Sequence, residues 1–145
     1  MLSVNQKIIL ILLTILIYVS YFLGFFFNEN SIGSGGYGGD LSWIWKNFEL
    51  YKNNNLIDAI NHNEFYGNRT PLLYVINILF NPFIDSIDSY RLSIFIVSLL
   101  GPLILYLCLK EKYKKVDKKI LFLISSILLL SPYYRTSSVW GMEIL

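Results

Sequence analysis

The sequence predicts an all-α, polytopic transmembrane protein with three spans and interfacial juxtamembrane helices in a long first external loop. Three observations carry this reading. Of the 145 residues, 54% are hydrophobic and only 15% charged, which is too apolar for an ordinary soluble domain. The apolar residues gather into uncharged runs near 8–27, 92–109 and 120–134, each long enough, or nearly so, to cross a bilayer as a helix. The charges gather as well: six lysines lie between Lys110 and Lys119, against Glu111 and Asp117.

Ile8 to Phe27 is the first run, and the preceding Lys7 favours a cytoplasmic N-terminus. A cleaved signal peptide has an apolar region of only about 7–15 residues before small residues. This run is longer and closes on Phe25-Phe26-Phe27, so it reads as an uncleaved anchor.

Residues 28–91 are mostly polar. Gly33-Ser34-Gly35-Gly36-Tyr37-Gly38-Gly39-Asp40 opens the segment as a flexible glycine loop, in which positive φ is readily adopted. Leu41 to Tyr51 reads as a short amphipathic helix, with Asp40 at its N-cap position and Trp43, Trp45, Phe48 and Tyr51 suited to the headgroup zone. Asn53-Asn54-Asn55 ends it, and Leu56 to Phe65 reads as a second helical piece. Gly67 to Thr70 makes a turn, and Pro71 opens the next helix.

Pro71 to Ile84 is apolar but carries Asn77, Asn81 and Pro82. If it spanned, the lysine-rich segment 110–119 would fall outside, against the positive-inside rule. It therefore reads as interfacial, and 110–119 becomes a cytoplasmic loop. The external loop then holds Glu29, Asp40, Glu49, Asp58, Glu64, Asp85 and Asp88 against Lys46, Lys52, Arg69 and Arg91. Leu92 to Leu109 is the second span, kinked at Gly101-Pro102, and Ile120 to Tyr134 the third. The tail beyond it lies outside.

Most chemistry classes find no support. Gly33 to Gly38 satisfies G-x-G-x-x-G, yet the segment before it is a membrane span rather than a strand, so a dinucleotide site is rejected. Cys108, the one cysteine, lies in an apolar run, and His62, the one histidine, has no ligand-spaced partner. No basic patch interleaved with aromatics suggests nucleic acid. Asp40 remains. It either caps a helix or, ringed by Trp43 and Trp45 above the bilayer, serves as a general base for an acceptor hydroxyl. Arg69, Arg91 and Arg135 are cations at membrane boundaries. Each either snorkels or helps to hold a lipid-linked phosphate. Glu143 lies on the same side as Asp40, as a second acid or as part of the tail. A divalent cation could bridge these two acids, although no ligand spacing demands one.

Taken together, these residues resemble the N-terminal part of a bacterial polytopic glycosyltransferase of the C superfamily, which uses polyprenyl-phosphate sugars as donors. The resemblance rests on Gly39-Asp40 with Trp43 and Trp45, then Arg69-Thr70-Pro71-Leu72-Leu73-Tyr74, then Tyr90-Arg91-Leu92, and on Ser131 through Glu143. It implies a catalytic role for Asp40 and juxtamembrane helices along the bilayer. Substrate and phosphate contacts would fall to Arg69, Arg135 and Glu143. Many relatives carry an acidic pair where this chain has Asp40 alone. Family members have many more spans, so the chain is expected to be one membrane module from the N-terminal part of a larger protein, inactive alone. The implied setting is the inner (cytoplasmic) membrane, with the bilayer and a lipid-linked sugar donor as partners and a cell-envelope polysaccharide as product. The alternative is a non-catalytic small membrane subunit or scaffold, which the absence of charge within the apolar runs allows.

Overall fold

The computed structural model describes residues 3–33, 35–65 and 71–142, and every regular element among them is helical. Helix α1 runs Val4–Phe26. Ser3 caps it by accepting the Gln6 N–H at 3.2 Å, while the Gln6 side chain accepts the Ser3 N–H at 2.9 Å. These two bonds form a reciprocal capping box. Only Thr14, Ile17, Tyr21 and Gly24 of α1 are buried. Their spacing of three and four puts them on one face. The other faces expose Ile8, Leu12, Leu16 and Leu23, as expected of a helix solvated by lipid.

Helices α2 (Ser42–Asn53), α3 (Leu56–Ile60) and α4 (Pro71–Phe80) follow. With 10 residues, α4 is about 15 Å long, half of a bilayer's hydrocarbon thickness. It packs on α2, where the Asn47 side-chain amide donates to the Tyr74 hydroxyl at 3.0 Å. Leu41, Ile44, Phe48 and Tyr51 form the buried stripe of this region and meet Tyr74, Tyr90, Val139 and Trp140. The Phe48 ring lies edge-on to Tyr74 and Tyr90 at 5.0 and 4.9 Å, a favoured aromatic geometry.

Helices α5 (Ile87–Ser98) and α6 (Leu100–Lys112) make one apolar stretch of 26 residues, interrupted at Leu99. Pro102 has no N–H for the Ser98 carbonyl one turn earlier. The Tyr134 hydroxyl donates to that carbonyl instead. The expected kink at Gly101-Pro102 is therefore a break that another helix fills.

Helix α7 (Lys118–Ser126) continues as a 3₁₀ turn, Ile127–Leu130, and then bends by 66° into α8 (Pro132–Trp140). The run expected to span as one helix from 120 to 134 thus breaks at Ser131. A residue before proline is driven out of the helical region, and Ser131 has ψ 122°. Among the described residues, two helices are long and apolar enough to cross a membrane, or three if the bent pair counts as one. In the described part of the tail, Arg135 to Met142 are all buried.

Contacts fix the two ends of the bundle. Leu10 and Ile11 of α1 line a groove with Tyr106, Lys118 and Lys119, so the chain start and the lysine loop share one end. At the other end the Phe25 ring stacks on Phe95 at 4.3 Å, and Arg91 meets Phe25 and Trp140. The glycine loop and α8 therefore lie opposite the lysines.

Candidate functional site

The site builds up from the glycine loop. Gly36 has φ +55°, and a Cβ there would stand 3.4 Å from Cζ2 of Trp140, so its backbone lies against the indole. Only glycine reaches that conformation without strain. The chain then winds into a π-turn, Tyr37–Leu41, closed by the Leu41 N–H on the Gly36 carbonyl at 3.1 Å. Such turns are rare and cluster at functional sites.

Asp40 sits inside this turn, half-buried. Its Oδ2 accepts the Gly35 N–H at 3.0 Å and so closes a ring of backbone around the loop. It is not the N-cap that its spacing suggested. The residue before α2 is Leu41, in helical conformation and without a side-chain cap bond. The physical reason is that the glycines let helical winding begin at Tyr37, which draws Asp40 into the first turn. Trp43 and Trp45 follow within little more than a turn; Lys46 lies over the first ring and Lys52 over the second, each at 4.8 Å.

Helix α8 holds the loop in place. Trp140 Nε1 donates to the Glu29 carbonyl at 3.0 Å, and Thr136 Oγ1 accepts the Ser31 N–H at 3.2 Å. Arg91 lies between the rings of Phe25 (4.5 Å) and Trp140 (4.6 Å) and donates to the carbonyls of Val139 and Phe25.

Arg135 is placed differently from the phosphate ligand expected of it. Its Nε reaches both Glu29 carboxylate oxygens at 2.8 and 3.0 Å, while Nη1 and Nη2 reach Leu129 and Ser20. These hydrogen bonds hold the Glu29 carboxyl below its ordinary range, against burial, which pushes it up. Gly24 makes room for the pair, because a Cβ there would fall 2.7 Å from Arg135 Nη2. Arg69 and Glu143, the other two expected contacts, lie outside the described residues. No local motif in the sequence marks Glu29 or Trp140. Glu29 is the first charge after the first apolar run and Arg135 the first after the third, and that matching depth was the available signal. Among the described residues, no three His, Cys, Asp or Glu side chains cluster as a metal site.

No family model matches the chain, and no curated protein or solved structure matches it significantly. The fold defines the class by itself: a protein whose described residues are all-helical in their regular elements, with two or three helices among them suited to crossing a membrane.

Proposed function

We propose that the chain is a membrane glycosyltransferase module of the C-superfamily type. It passes a sugar from a polyprenyl-phosphate carrier to an acceptor hydroxyl on the outer side of the cytoplasmic membrane. Asp40 is the general base, and Arg69 and Glu143 contact substrate and phosphate. The observation that supports this reading best is the setting of Asp40. A half-buried carboxylate is fixed by the Gly35 N–H within a π-turn, on a loop that α8 braces at the end opposite the lysines. A fixed carboxylate is what general-base chemistry needs, since proton transfer depends on position first. Arg135, bound to Glu29, serves in this account as a positioning residue for the loop.

The test is sugar transfer from a labelled polyprenyl-phosphate sugar by the full-length protein in membranes. Asp40→Asn is expected to lower the rate about 100-fold or more while far-UV circular dichroism stays unchanged. Transfer at the wild-type rate overturns the proposal. A scaffold reading draws on one observation, that Arg91 and Arg135 both serve contacts between helices. It predicts a stable, folded Asp40→Asn protein with its binding partners intact and no transfer activity in either form.

A further inference from the structure

The end of the molecule away from Asp40 carries a second feature. Between α1, α6 and α7 lies a groove of about 340 Å³, walled by Leu10, Ile11, Ile15, Tyr106 and Phe122. Its mouth is formed by Lys118 and Lys119, both exposed. A second apolar groove of about 530 Å³ shares Thr14, Ile15 and Phe122 with it and continues past Tyr18 to Phe26. Together they make a trough along α1 from Leu10 to Phe26, about 24 Å long at the helical rise. That is long enough for a lipid tail lying along the helix.

The charge at the mouth is specific. Lys7 stands one turn before Ile11, on the same face of α1. Asp117 is the acid nearest in sequence; it caps α7 by accepting the Lys119 N–H at 2.8 Å. Lys110, Glu111 and Lys114 line a neighbouring pocket together with Lys118, so the charges around the mouth are Lys7, Lys110, Lys114, Lys118 and Lys119 against Glu111 and Asp117, five positive to two negative. Of these, Lys114 is paired with Glu111 at 2.7 Å. A run of lysines alone would be a solvated face. Here it crowns an apolar trough, the combination that recognises an anionic headgroup attached to a hydrocarbon chain.

We propose that this trough is a binding site for one anionic phospholipid of the bilayer, with its phosphate between Lys118 and Lys119 and an acyl chain along α1. The site is independent of the sugar-transfer reading and uses none of its residues.

The test reconstitutes the full chain in phosphatidylcholine vesicles carrying a trace of spin-labelled lipid and measures the motionally restricted fraction. Labelled phosphatidylglycerol is expected to be restricted in strong preference to labelled phosphatidylcholine. Lys118→Gln/Lys119→Gln should reduce that preference about fivefold for each lysine removed. Lys112→Gln/Lys115→Gln, with the same change of charge, should leave it in place. Ile15→Trp, which fills the trough but keeps the lysines, should release the restricted lipid. Equal restriction of the two lipids overturns the proposal, as does equal loss in the two double variants. Retention of the preference in Ile15→Trp overturns it too.

Discussion

The guanidinium of Arg135 closes on the carboxylate of Glu29 across 106 residues of sequence, and this pair ties the end of α1 to the start of α8. The arginine side chain is 9% exposed and the glutamate 27%. Two further N–H groups of Arg135 reach the Ser20 carbonyl at 2.9 Å and the Leu129 carbonyl at 3.2 Å. One side chain therefore joins α1, the 3₁₀ turn and α8.

Removing the arginine leaves a partly buried carboxylate and two carbonyls without their donor. Arg135→Ala is expected to cost about 3 kcal/mol, the lower end for breaking a buried pair, because Glu29 keeps some water contact. Arg135→Lys should recover little of this, since an ammonium cannot span the same fork of acceptors. Thermal unfolding in detergent, followed by tryptophan fluorescence, measures both.

The pair also gives stability a pH dependence. Hydrogen bonds from Arg135 hold the folded-state pKa of Glu29 below the ordinary value of 4.5. The unfolded chain then binds more protons across the interval between the two values. Glu29 therefore adds stability above pH 4.5, and that contribution is lost as pH falls through the lower folded value. Acid titration of the melting temperature is expected to show this drop in the wild type and a flatter profile in Glu29→Gln.

Gly36 lies against α8 beside the Asp40 turn. Gly36→Ala would put a Cβ on a residue with φ +55°, 3.4 Å from the Trp140 ring. With ψ at −139° this is a region of backbone space that a residue with a Cβ rarely enters, at a cost of about 1–3 kcal/mol. The expected result is faster limited proteolysis within residues 30–40, with the core melting temperature changed much less.

Tyr134 supplies the donor that Pro102 cannot. Tyr134→Phe leaves the Ser98 carbonyl without that bond and should cost about 1 kcal/mol. In a Pro102→Ala background the backbone regains an N–H at position 102, and the same change should cost less. A double-mutant cycle reads this coupling directly.

Much of this fold is legible in local pattern. The first apolar run, read as 8–27, matches α1 at Val4–Phe26, because an uncharged run has no strong competitor to a helix. Pro71 opens α4 as its fixed φ suggests. The end of the third run is different. Arg135, Thr136, Ser137 and Ser138 look like an aqueous tail in sequence, yet all four are buried. Glu29 neutralises the arginine, and the Ser138 hydroxyl returns to the Arg135 carbonyl at 2.8 Å. Neither contact shows in hydropathy. Asp40 stands out in sequence as the acid of interest, but its place inside a π-turn depends on Gly35 bonding its carboxylate and on Gly36 lying against Trp140. A partner 100 residues away decides that geometry, and no local spacing encodes it.

The proposed function requires the glycine loop and the lysine loop to face opposite sides of one membrane. The most direct measurement is cysteine accessibility in a Cys108→Ser background, with single cysteines placed at Asn54, Asn81 and Val116. Labelling of positions 54 and 81 only from outside, and of 116 only from inside, is the result this account predicts. Labelling of 81 from inside together with 116 from outside would mean that the segment around α4 crosses the membrane. That result would contradict the placement of Asp40 on which the proposed function rests.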